Sequence, residues 1–117
     1  MTLKTTAKTY LEVAYKDLEN FITAHYGIAY SVILGLEAQN GSLHAVTVST
    51  SHEHYDPDAE EGSRFTPREG LDPEAAETIR HWRAGTLDYV PYVGTLLHDL
   101  ACSGHLAPGE YLINVSW

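Results

Sequence analysis

The run His52-Glu53-His54-Tyr55-Asp56-Pro57-Asp58 holds the residue types and spacing that come nearest to chemistry in this chain. In an extended segment alternate side chains point the same way, so His52, His54 and Asp56 would converge on one point. Two imidazoles and a carboxylate are donors that zinc accepts, and a zinc-bound water would make the protein a metal-dependent hydrolase. Such a loop holds metal poorly without a further fixed ligand and hydrogen bonds that orient the rings. His98 and Cys102, four residues apart on one predicted helix face, could supply that ligand, with His105 just beyond. Each set also has a plainer reading, as an exposed polar loop and as a polar helix face with Cys102 partly covered. The plainer reading is preferred for both. His25 falls on the apolar stripe of the first predicted helix, where a hydrogen-bonded edge residue is expected. Glu37 and His44 are expected to face each other across a hairpin as a cross-strand pair.

Other catalytic patterns are missing from the sequence. There is no nucleophile elbow and no Gly-Lys-Ser/Thr phosphate loop, and the glycines at 62, 70 and 85 are far apart. What stands out instead is charge. The net charge is −9. Between Glu53 and Glu77 nine acids meet only Arg64 and Arg68, a local charge of −7 that accounts for most of the total. Glu74 and Glu77 suit a helix start, but Glu53, Asp56, Asp58, Glu60 and Glu61 have no such duty. Tyr55 and Phe65 lie among them, and an aromatic ring in an exposed charged loop suits a contact anchor.

The elements that must position these residues follow from periodicity. A first helix is predicted over about Thr6 to Tyr26, with Leu11, Ala14, Leu18, Phe21, Ile22 and His25 on one face and Gly27 as its stop. Thr9-Tyr10-Leu11-Glu12 has the form of a capping box and allows a later start. Tyr30–Leu36 and Leu43–Val48 read as strands joined by an Asn40-Gly41 hairpin turn. Val32, Leu34, Leu36, Leu43 and Ala45 would then share the face under the first helix. Residues 49–71 read as a long polar loop, part of which extends the hairpin. Asp72 as N-cap, Pro73 behind it and Gly85 as stop mark a second helix, with Ala75, Ile79 and Trp82 facing inward. A third runs from about Tyr92 to Ser103, with Val93, Leu96, Leu97 and Leu100 inward. After Pro108-Gly109 comes a last strand with Tyr111, Ile113, Val115 and Trp117 on one side. The expected architecture is a single α+β domain over residues 1–117. A small antiparallel sheet, hairpin plus C-terminal strand, packs against about three helices in the order α-β-β-α-α-β.

At 117 residues the chain has enough surface to bury for one real core. A lone cysteine leaves no internal disulfide, which fits a reducing compartment. The N-terminus lacks a signal-peptide run and no stretch is long and apolar enough to span a bilayer, so a cytoplasmic location is expected. The acidity disfavours direct contact with nucleic acid and favours a basic partner.

In size, charge and style the whole chain resembles the small acidic phage-encoded inhibitors of the anti-CRISPR kind, a group held together by no shared motif or fold. That resemblance implies a protein of the host cytoplasm that plugs a positively charged nucleic-acid groove in a CRISPR effector. The expectation is therefore a non-enzymatic inhibitor or adaptor that needs no cofactor. Glu53, Asp56, Asp58, Glu60 and Glu61 would make electrostatic contacts to a basic protein surface, and Tyr55 would anchor them. The alternatives are the zinc hydrolase built on His52, His54 and Asp56, and an interaction subunit or homodimer with Trp117 and the last strand at its interface.

Overall fold

A computed structural model describes residues 10–60, 62 and 64–117. Among these the element order is β1 (Leu11–Ala14), α1 (Tyr15–Tyr26), α2 (Val32–Leu36), β2 (Ser42–Val48), β3 (Ser51–Tyr55), β4 (Phe65–Glu69), α3 (Pro73–Ala84), α4 (Val93–Cys102) and β5 (Gly109–Val115). The class is α+β, as the sequence indicates. The order differs from the one expected, and each difference has a local cause.

The first helix begins only at Tyr15, because Leu11–Ala14 pairs in parallel with β5, Val13 standing opposite Ile113. Thr9 of the expected capping box lies outside the described residues, and Glu12 accepts a hydrogen bond from the Asn114 amide at 3.2 Å. The inward stripe of α1 is Leu18, Ile22 and Tyr26, at four-residue steps, while His25 and Phe21 are exposed.

Residues 30–36 correct the sequence reading most sharply. Val32-Ile33-Leu34 reads as strand by composition but forms α2, since three interactions hold it helical. The Ser31 hydroxyl accepts the Leu34 N–H as an N-cap, Glu19 from α1 accepts the Val32 N–H, and Glu37 closes the turn with φ of 52°. Gly35 is required here, because a side chain would collide with the Tyr30 hydroxyl, which donates to the Pro91 carbonyl at 2.6 Å. The supposed shared face does not exist, as Leu34 and Leu43 are well exposed. Nor do Glu37 and His44 pair; His44 Nε2 lies 3.0 Å from the Ser42 hydroxyl.

Asn40-Gly41 is still a turn, but it leads from α2 into β2. Gly41 takes φ of 85°, its N–H donates to the Val115 carbonyl, and the Asn40 side chain accepts the Trp117 N–H. The partner of β2 is thus β5, antiparallel, in a mixed sheet of order β1-β5-β2. The inner face of this sheet carries Val46, Val48, Tyr111, Ile113 and Val115. Trp117 lies past the strand and is exposed.

Helices α3 and α4 match their sequence signals. Asp72 caps α3 by accepting the Glu74 N–H, Pro73 follows, and Gly85 closes it with φ of 77°. Val93, Leu96, Leu97 and Leu100 of α4 are fully buried against the sheet and form the centre of one continuous core. Each such burial is worth about 1.5–3 kcal/mol. Rings join the helices at one end: Trp82 stands edge-on to Tyr26 and Tyr30, and the Tyr26 hydroxyl donates to Asp99 at 2.5 Å. No helix among the described residues is long and apolar enough to cross a membrane.

Candidate protein-binding arm

The stretch read as a long polar loop contains a second sheet of two strands, β3 and β4, which among the described residues pair with each other and with no other strand. Its residues contribute nothing to the hydrophobic core, and every residue of β4 is exposed. An isolated two-stranded ribbon is marginal in water. What fixes this one is a polar root.

At the root, Gly70 donates its N–H to Thr50 at 2.8 Å and accepts from His52 Nδ1 at 2.9 Å. From α4, His98 Nδ1 lies 2.6 Å from the Ser49 carbonyl, and its Nε2 accepts the Asp72 N–H at 3.1 Å. An amide N–H can only donate, so Nε2 is the bare nitrogen and Nδ1 carries the proton. One imidazole therefore joins the chain entering the arm to the chain leaving it. Below it the Cys102 thiol donates to the Thr50 carbonyl at 3.6 Å. Burial, with Asp99 and Glu69 adding to it, holds the Cys102 thiol above its ordinary pKa, which disfavours the thiolate that would attack or bind metal.

These contacts account for the residues that looked like metal ligands. Both nitrogens of His98 are occupied, and His52 is turned to the root. Among the described residues no group of three or more histidines, cysteines and carboxylates is arranged to hold an ion. His52 and His54 share a side of β3, but Asp56 lies beyond the strand with its carboxylate on the Asp58 N–H, and neither histidine joins His98 and Cys102 in a ligand set. His105 instead packs its ring against His25 at 4.6 Å.

The ribbon has two unlike faces, since paired residues project to the same side. One carries Glu53 opposite Pro67, Tyr55 opposite Phe65, and Ser51 opposite Glu69. The other carries His52 opposite Arg68 and His54 opposite Thr66. The Tyr55 and Phe65 rings touch with centroids 5.1 Å apart, and both are exposed, at 48% and 62%. This pairing was invisible in the sequence, where they stand ten positions apart and neither belongs to an apolar stripe.

The acids of residues 53–77 divide by role. Asp72 and Glu74 open α3, and Glu77 is held below its ordinary pKa by the Arg80 guanidinium, with His81 adding to the effect. Asp56 is half-buried and turns its carboxylate onto the Asp58 N–H at 3.0 Å. Glu53, Asp58, Glu60 and Glu69 are exposed and form no ion pair with a described residue. Arg64 donates its Nε–H to the Ala59 carbonyl at 3.3 Å and forms no ion pair with a described residue. Glu61 lies outside the described residues.

Elsewhere, an open groove of about 580 Å³ is lined mainly by Tyr30, Leu34, Trp82, Leu87 and Tyr89, with Asp88 its one ionisable carboxylate. It gathers no set of groups suited to a reaction. Comparison of the chain with protein-family models, curated protein sequences and solved structures returns no match.

Proposed function

We propose that this chain is a non-enzymatic binding protein whose β3–β4 arm engages a basic protein surface. Glu53, Asp58 and Glu60 meet the cations, Asp56 shapes the turn that presents them, and Tyr55 with Phe65 anchors the contact. Glu61, adjacent in sequence, adds to the same charge. The reading rests chiefly on one observation: an arm outside the core bears exposed carboxylates that form no ion pair with a described residue, next to an exposed pair of rings. Carboxylates arranged this way steer a cationic partner and select it, and a desolvated ring pair supplies the short-range adhesion.

A basic surface of that kind belongs to proteins that bind nucleic acid, and the groove of a CRISPR effector is one such partner. Inhibition would follow from occlusion, the arm occupying cationic side chains that otherwise hold phosphates. A ribbon of this size plugs a local site and does not imitate a long duplex.

The test is quantitative affinity capture from a bacterial lysate, comparing the wild type with Glu53→Gln/Asp58→Asn/Glu60→Gln. Basic, nucleic-acid-binding proteins held by the wild type and lost by the variant support the proposal. Identical capture by both proteins, or capture of acidic proteins only, rejects it.

A further inference from the structure

The two long edges of the β3–β4 ribbon are not equivalent. Gly70 N–H bonds Thr50, and at the far end Asp56 N–H bonds the Arg64 carbonyl at 2.7 Å. Both are directly opposed residues in the antiparallel register, so they are hydrogen-bonded pairs, and such pairs alternate with open ones. Glu53 with Pro67 and Tyr55 with Phe65 are consequently open pairs, whose backbone groups point away from the ribbon. On the β4 edge the central outward position is Pro67, which has no N–H to offer. A strand added there would lose its middle contact. On the β3 edge the outward N–H and C=O groups of Glu53 and Tyr55 have no partner among the described residues. Only the Ser51 N–H is already taken, by the Ser49 hydroxyl at 3.0 Å.

We infer that the outer edge of β3 accepts an extended, cationic segment of the partner as a third strand, hydrogen-bonded to Glu53 and Tyr55. This rests on the binding role proposed above and specifies how the partner is held. Charge selects the occupant and its register. A residue paired with Glu53 or Tyr55 shares the face that carries Glu53, Glu69 and the two rings. Lysine or arginine there meets carboxylates and the face of an aromatic ring. Its neighbours fall on the side of His52, His54 and Arg68, where apolar residues avoid repulsion. An alternating cationic and apolar strand therefore fits in one register and not the other. The addition also turns a marginal two-stranded ribbon into a three-stranded sheet.

The probe is an acetylated, amidated octapeptide of alternating lysine and valine, added to the full chain at low ionic strength while amide hydrogen exchange is followed by NMR. The Glu53 and Tyr55 amides are expected to exchange at least about tenfold more slowly when the peptide is saturating. The same peptide N-methylated at its lysines keeps its charge and loses the edge-facing donors, and it should bind at least about tenfold more weakly. Glu53→Pro, which places proline opposite Pro67, should abolish the protection, while Glu53→Gln weakens binding and retains it. Peptide binding with unchanged exchange at Glu53 and Tyr55, or equal binding of the methylated peptide, overturns the third strand and leaves the acidic contact standing. Absence of any binding at low salt overturns both.

Discussion

Replacing His98 by alanine removes the link between the entrance and exit of the arm. Two backbone groups lose their partners: the Ser49 carbonyl, 2.6 Å from Nδ1, and the Asp72 N–H, 3.1 Å from Nε2. Both sites are part-buried, so water replaces each bond incompletely and each loss costs about 1 kcal/mol. The vacated ring volume adds a packing loss, giving about 2–3 kcal/mol in all. Urea denaturation should show this, with a fall of about 6–12 °C in Tm. Two further variants partition the effect. His98→Asn places an amide N–H near the position of Nδ1 and should recover the Ser49 bond; His98→Gln places a carbonyl near Nε2 and should recover the Asp72 bond. Each should restore about half. Amide exchange at Gly70 and Asp72 should quicken in the alanine variant beyond the change expected from global stability. A loss below about 0.5 kcal/mol, with unaltered exchange at those amides, would refute the assignment of His98 as the root of the arm.

Further outcomes follow from the aromatic end of the core. Gly35→Ala should destabilise by about 2–3 kcal/mol, because the new methyl would meet the Tyr30 hydroxyl, and the double variant with Tyr30→Phe should cost less than the two single losses added. Additive losses in urea melts would contradict the contact. Burial, with help from Asp99 at Tyr26 and from Tyr92 and Glu19 at Tyr30, raises both phenols well above the ordinary value. A raised folded pKa gives stability that is complete below about pH 10, the unfolded value, and is lost as pH rises beyond it. Phenolate absorbance should therefore show these two rings ionising together with loss of the fold, and ionisation of every tyrosine near pH 10 in an intact fold would refute this.

Those elements whose local signals agreed were legible from sequence. Helix α3 had a cap, a proline and a terminal glycine in register, and α4 had four leucine and valine positions on one face, so neither needed tertiary information. The strand β5 alternates cleanly because one of its faces is buried. Residues 30–36 misled because Val32, Ile33 and Leu34 suit either structure, and part of what decides between them comes from outside the segment: Glu19 of α1 accepts the Val32 N–H, and the Pro91 carbonyl holds the Tyr30 hydroxyl against Gly35. Leu11–Ala14 misled likewise, since its strand partner is a hundred residues away. The arm escaped detection for a different reason: both its faces meet solvent, so its strands carry no apolar alternation. The acids themselves were legible, but which of them pair among the described residues was not. That depended on Glu77 meeting Arg80 and on Arg64 turning its Nε to a carbonyl and to none of the described carboxylates.

The claim that the carboxylates of the arm hold a cationic protein is tested most directly by a salt titration of binding to a protein captured by the wild type. Affinities of the wild type and of Glu60→Lys/Glu61→Lys are measured by calorimetry across a range of ionic strength. Reversal of both charges is predicted to weaken binding about tenfold or more at low salt and to flatten the salt dependence, since fewer opposite charges remain to be screened. Equal affinities and equal salt slopes for the two proteins would contradict it.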